Sequence, residues 1–404
     1  MSFSHRRLSL SSFQTSRQRL SRSRQQRHLQ RPRKTLRLEL LEDRALLAAI
    51  SWDGGGGDFD WNNELNWIGN MLPGPSDEVV IDLGANAFTV GYSSGSTSIK
   101  SLTSHASLNV SGGTLDFAES SVIAKVLTLN STISGAGDVT VQGQFYNNSS
   151  VSRIAGSGRL ILQGNSYFGT SPLFERSVIN RGVLIQESNA TLAAGVTFTN
   201  EAGATIDFHD GRFFGSGKVV NHGLFRKTTG ASSRIDGMFT QSASGALDLQ
   251  QGTFSFNGGG FAEGDFQGAA GTTLVFATFT LNAGASLVAD RVTVGSLVAN
   301  GSYKVLGGTT VDGSLTLQGP TDIVGSDLSV TGTFDATAAN LLSPLTFDDL
   351  TLVGTFLSEG DVIVQGLFYN NSSVSRIAGS GRLILQGNSY FGTSVAQTKV
   401  IDML

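Results

Sequence analysis

One short phrase of residues recurs along most of this chain, and it limits the possible folds more than any other feature. A glycine or small polar pair leads into an alternating apolar triplet, and a second glycine often follows. Gly137-Asp-Val-Thr-Val-Gln-Gly143 and Gly158-Arg-Leu-Ile-Leu-Gln-Gly164 are two instances. Gly182-Val-Leu-Ile-Gln186, Gly203-Ala-Thr-Ile-Asp-Phe208, Gly245-Ala-Leu-Asp-Leu249, Gly284-Ala-Ser-Leu-Val288, Gly313-Ser-Leu-Thr-Leu-Gln-Gly319 and Gly360-Asp-Val-Ile-Val-Gln-Gly366 continue it. The first four start at Gly137, Gly158, Gly182 and Gly203, a loose period, and later gaps are irregular. Period-2 alternation over so short a stretch specifies strands that bury one face. Glycine at the corners permits the φ values that a sharp bend needs. A coil of about 20 residues cannot bury its own apolar row, but stacked coils share one core. The expected fold is therefore all-β: an elongated parallel β-solenoid, or β-helix. At roughly 4.8 Å between coils, about 15 coils would extend about 70 Å. Phe198, Phe208, Phe254 and Phe256 are expected to stack along the inside. A string of β-sandwiches would instead group its strands into domain-sized blocks, and no block boundaries are visible.

One unit of the array occurs twice. Residues 137–171 and 360–394 differ only at Thr140/Ile363 and Gln144/Leu367. From Tyr146 to Ser171 the copies are identical. Folding does not demand such identity, because outward strand positions tolerate change; a recent duplication accounts for it better. The second copy is followed only by Val395 to Leu404, whereas the first continues into Ser177-Val-Ile-Asn-Arg-Gly-Val-Leu-Ile185. The expectation is a C-terminally truncated part of a longer array.

Charge separates a leader from the body. Residues 1–48 carry 12 Lys/Arg against Glu39, Glu42 and Asp43, a balance of +9, and the remainder carries −13. An acidic body would repel phosphate, so nucleic acid is not an expected partner. The absence of cysteine excludes disulfides, thiolate nucleophiles and cysteine-based zinc sites. No apolar run is long enough for a membrane helix, so no transmembrane segment is expected. The chain divides into a basic, largely disordered leader with a short amphipathic segment (1–50), a Trp-rich N-terminal cap (51–95) and the solenoid repeats (96–404).

Three stretches resemble known families. Leu41-Glu42-Asp43-Arg44-Ala45-Leu46-Leu47, after an Arg-rich leader, resembles the sorting segment of large exported planctomycete surface proteins, which implies export. The stretch from Trp52 through Trp61 and Asn66-Trp67 to Pro73-Gly74-Pro75 and Asp77, then a strand, is similar to the opening of autotransporter-like bacterial β-helix proteins. The third is Gly156-Ser-Gly-Arg-Leu-Ile-Leu-Gln-Gly-Asn-Ser-Tyr-Phe-Gly-Thr170, repeated at Gly379 to Thr393. It resembles the passenger-associated repeat of bacterial autotransporters, one residue shorter before Asn165 and again before Thr170. That resemblance implies a surface-displayed β-helix. No set of about 8 or more membrane-barrel strands follows, so self-transport is not supported.

No catalytic, cofactor-binding or metal-binding residue is expected, and no cofactor. Several features invite a sharper reading. Trp52, Trp61 and Trp67 are the only tryptophans and would cover the end of the solenoid; exposed, they would instead stack on sugars. Gly54 to Asp60 resembles one turn of a calcium-binding glycine-rich repeat, with Asp53, Asp58 and Asp60 as oxygen ligands. That repeat needs tandem turns, and one is present. Asp207, His209 and Asp210, with His222 further on, would bind a metal only if they lay together on neighbouring coils; they read instead as a solvated outer face, and Gly211 to Val219 as a β-corner rather than a phosphate loop. Asp236, Asp248, Asp312, Asp322 and Asp327 are scattered, and Asp348-Asp349 would alternate faces, which argues against a lyase or hydrolase groove. Asn147 and Asn148 fit glycosylation sequons. The expected function is an exported cell-surface or extracellular structural and adhesion-type protein without catalysis, with surface polysaccharide or other cell-surface proteins as partners. The alternative is a carbohydrate-active or carbohydrate-binding β-helix.

Overall fold

The computed structural model describes residues 49–84, 87–370, 372–392, 396–397 and 400–403. Residues 1–48 of the leader, with its expected disorder and its sorting-like segment, lie outside them; Ala49 and Ile50, expected in the leader, instead belong to the first strand, Ala49–Ser51, which pairs with Glu78–Val80. Leu47–Leu404 forms one compact unit, a parallel β-solenoid of about 16 turns. The one helical turn among the described residues is a 3-10 turn at Glu64–Asn66.

Each coil contributes three short strands, and each strand lies on the one three strands earlier. Val139–Val141, Phe145–Asn147 and Arg153–Ile154 form one coil. Leu160–Leu162 then stacks on Val139–Val141, in register Val139 to Leu160. Three parallel faces result. Face A runs Val139, Leu160, Val178, Phe198, Val219, Phe239. Face B runs Phe145, Ser166, Leu184, Ile206, Phe225, Leu247. Face C begins Ile133, Ile154, Phe174, Leu192. The coils differ in length: the step from Leu160 to Val178 is shorter than the one from Val139 to Leu160. The irregular spacing in the sequence has a further structural cause. The triplets after Gly137 and Gly158 are on face A, whereas Val183–Gln186 is on face B. The longer gap between Gly158 and Gly182 therefore includes a change of face. Between Thr273 and Leu317 the parallel pairing continues through the corners, so that one strand covers several faces: Ser286–Ala299 has 14 residues and Ser302–Leu317 has 16.

Alternation sends every second side chain inward, as in Leu-Asp-Leu of Ala246–Leu249, with Leu247 and Leu249 buried and Asp248 outside. Phe198, Phe208, Phe254 and Phe256 are all fully buried, as expected. They belong to a nearly continuous aromatic stack from Phe168 to Phe279, for example Phe198–Phe213 at 4.7 Å and Phe239–Phe256 at 4.7 Å between centroids. Each fully buried phenylalanine contributes about 1.5–3 kcal/mol by transfer from water, and coil-to-coil ring pairs add to it.

The reason for glycine at the corners differs from the expected one. Gly137, Gly143, Gly158, Gly164 and Gly182 do not have left-handed φ values. A Cβ on Gly164 would instead lie 2.1 Å from the Gly143 carbonyl oxygen, and one on Gly143 would lie 2.2 Å from that of Lys125. These glycines let successive coils approach; only at positions such as Gly203, φ +84°, does the backbone itself require one.

The duplicated segment is out of phase with the ladders. The face A ladder from Val139 climbs through Phe239, Gly260, Phe279, Leu297, Leu315, Phe334 and Phe356 to Ile377. Ile377 is the counterpart of Ile154, a face C residue. The offset between the copies is therefore not a whole number of coils, and the second copy sits one face round from the first.

Candidate functional site

The interior holds polar groups as well as hydrocarbon. On face A, Asn180, Asn200, Asn221 and Gln241 are buried in consecutive coils. Asn180 Nδ2 donates to Asn200 Oδ1 (2.8 Å), Asn200 Nδ2 to Asn221 Oδ1 (2.9 Å), and Asn221 Nδ2 to Gln241 Oε1 (2.9 Å). The ladder also satisfies corner carbonyls such as that of Thr205. Sequence reasoning missed it: Val-Ile-Asn180, Phe-Thr-Asn200, Val-Val-Asn221 and Phe-Thr-Gln241 end four strands about one coil apart, but only the stacking register places each amide above the last. Two buried cations serve corners in the same way. Arg176 donates to the carbonyls of Ala155 (2.6 Å), Gly135 (2.7 Å) and Gly137 (3.3 Å), and burial pulls its guanidinium below the ordinary arginine value. Lys227 Nζ donates to the carbonyls of His209 and Thr229, with Asp210 at 3.6 Å; burial likewise lowers its ammonium, opposed mainly by Asp210.

The residues that the sequence singles out have the following surroundings. Trp52, Trp61 and Trp67 are buried edge-to-face, Trp52–Trp67 at 4.9 Å and Trp61–Trp67 at 4.8 Å, so their ring faces are not open to a sugar. Asp53 and Asp60 accept the backbone N–H groups of Gly55 and Asn62. Asp58 accepts Asn66 Nδ2 (2.6 Å), Asp60 N (3.0 Å) and Asn63 Nδ2 (2.9 Å), bonds that hold its carboxyl below the usual range, Asn66 foremost. The three aspartates brace their own turns. Among the described residues no group of three His, Cys, Asp or Glu is placed to hold a metal ion.

His209 and His222 lie at opposite ends of face B strands. His209 Nδ1 faces Glu187 Oε1 at 3.4 Å. Asp207 is nearly buried, paired with Arg226 (2.9 Å) and Thr228 (3.0 Å), so it is less solvated than the outer-face reading implied. Arg212–Gly215 and Lys218–Asn221 are strands joined at a β-corner. Asp348 and Asp349 are both exposed, because they occupy the corner inside Leu345–Leu352 instead of alternating along a flat strand. Asn147 is fully buried and accepts Thr170 Oγ1 at 2.8 Å, so only Asn148 of the two sequons is on the surface.

Among the grooves of the described outer surface is one around Gly308. It is about 410 Å³, lies on face C over several coils, and is lined by Arg291, Thr293, Gly308, Thr310, Asp327 and Ser329 with their neighbours. Two outward rows form it. Arg291, Gly308 and Asp327 are in register, as are Thr293, Thr310, Ser329 and Thr351. The second row continues through Tyr369 to Tyr390. No protein-family model, curated protein or solved structure matches the chain.

Proposed function

We propose that this chain is an exported, cell-surface or extracellular structural and adhesion-type protein, without catalysis of its own. One observation carries the reading: a single parallel ladder system runs through successive coils from Ala49 to Met403 with a continuous buried core. An array in which each coil supports the next is suited to holding a repetitive surface in place. The titratable side chains near one another are mostly joined as coil-to-coil ion pairs, such as Arg159–Asp138 at Asp138 Oδ2 and Arg181–Glu201 at 2.9 Å, a bracing role. Export rests on the leader's resemblance to planctomycete sorting segments, and surface polysaccharide or other surface proteins are the partners that fit. Proteolytic shaving of intact source cells, followed by immunodetection, tests this. Loss of the solenoid signal from unbroken cells is expected. A protein protected until lysis and recovered with the cytoplasm would refute the proposal.

The groove on face C favours a second reading, carbohydrate binding, as a refinement of the first.

A further inference from the structure

We propose that the face C groove binds a neutral, extended polysaccharide lying along the solenoid axis. The inference rests on the adhesive reading above and gives it a ligand class.

Gly308 leaves a notch in the lining of the groove. Gly308 stands between Arg291 and Asp327 in one outward row. A Cβ at Gly308 would meet nothing closer than the Asp327 carbonyl oxygen at 3.5 Å and its Cβ at 3.6 Å, ordinary contacts, and its φ is not left-handed. Nearby glycines differ: a Cβ on Gly307 would lie 2.4 Å from Asp290 Oδ1, and one on Gly313 would lie 2.0 Å from the Gly295 carbonyl. Backbone packing requires Gly313, a side chain at Gly307 would have to displace the Asp290 carboxylate, and nothing in the packing requires Gly308. The notch is thus a surface feature with no structural cause in the coils beneath it.

The floor suits hydroxyl-rich ligands. Thr293, Thr310, Ser329 and Thr351 present one hydroxyl per coil in register. None of the four makes a side-chain hydrogen bond among the described residues, whereas on face A the hydroxyls of Ser296 and Ser314 are paired at 3.1 Å. A free hydroxyl both donates and accepts, which matches a sugar hydroxyl. Coils repeat at about 4.8 Å, near the length of one pyranose unit in an extended chain, so each coil can meet one sugar.

The walls of the groove, and the row that continues beyond it, narrow the class. Arg291 is 60% exposed and only distantly paired with Asp290, at 3.9 Å. Asp327 and Asp349 bring the opposite sign. A surface of mixed sign favours a neutral polyol over a polyanion. The hydroxyl row ends on Tyr369 and Tyr390, exposed and stacked at 5.1 Å with a 10° interplanar angle. Such a pair joins an apolar body to a polar tip, as a pyranose does.

Affinity electrophoresis of the full-length chain tests the proposal, with hydroxyethylcellulose as the neutral β-linked probe and polygalacturonate as the anionic comparison. Wild type should be retarded by hydroxyethylcellulose and not by polygalacturonate. Gly308→Leu puts a side chain into the notch, its Cβ meeting only ordinary contacts, and Thr310→Val removes one hydroxyl while keeping a β-branched residue. Each should weaken retardation about tenfold or more, equivalent to about 1.4 kcal/mol. Thr316→Val, an outward residue of face A, should change nothing. No retardation by the neutral probe, retardation by the anionic probe alone, or equal retardation of Gly308→Leu and wild type would each overturn the assignment. Shaving and electrophoresis fail separately: a cytoplasmic protein could still bind the glucan, and a surface protein could ignore it.

Discussion

At the scale of single residues, the interior polar groups decide what the core tolerates. Asn200 bridges two coils at once, accepting from Asn180 and donating to Asn221. Asn200→Ala leaves buried amide groups above and below it short of a partner, which costs about 2 kcal/mol. The expected result is a lower denaturation midpoint in guanidinium with the strand signal retained; an unchanged midpoint would show that the ladder contributes nothing. Arg176 and Lys227 act in the same way, as buried donors to corner carbonyls. None of these roles follows from local pattern alone. A strand ending in Val-Ile-Asn looks like any strand ending at a turn until the register places the next asparagine directly above.

At the scale of elements, the corner is the unit that matters. Three short strands per coil require three bends, and the glycines there serve two purposes. Gly164→Ala would drive a methyl group to 2.1 Å from the Gly143 carbonyl oxygen. Overpacking of that kind costs about 1–3 kcal/mol. Gly308→Ala should leave stability within about 0.5 kcal/mol of wild type, because its surroundings have room. Paired thermal melts of the two variants check this; equal destabilisation would remove the distinction between packing glycines and the groove glycine. The alternating triplets were fully legible as strands, and Phe198, Phe208, Phe254 and Phe256 were legible as core. Their assignment to three faces was not, because strands of all three faces carry the same alternation.

At the scale of the whole solenoid, the duplicated segment shows that the faces are interchangeable. Strand Val139–Val141 is on face A, but its counterpart Val362–Val364 stacks on Leu345, Thr346 and Phe347 of the face B line. Identical sequence therefore displays Tyr146 and Tyr369 on different sides. The chain has no cysteine, so a Ser150→Cys/Ser373→Cys double variant can carry two spin labels without further changes. Both positions are exposed. With about eleven inter-coil steps of about 4.8 Å between them, a single distance distribution centred at about 50–60 Å is expected in a dipolar measurement. A short or divided distribution would contradict continuous stacking of the intervening coils.

Strand content, the approximate coil length, the inward phenylalanines and the solenoid class are all written in the chain's own periodicity, because each depends on residue type and spacing within one coil. The stacking of coil on coil set the rest: three faces per coil, the asparagine ladder, the phase of the repeated segment, and the groove around Gly308. All four depend on which residue lies one coil above another. That register is the sum of many corners of unequal length. Unequal steps, such as Leu160 to Val178 and Phe198 to Val219, shift it in ways no local pattern records.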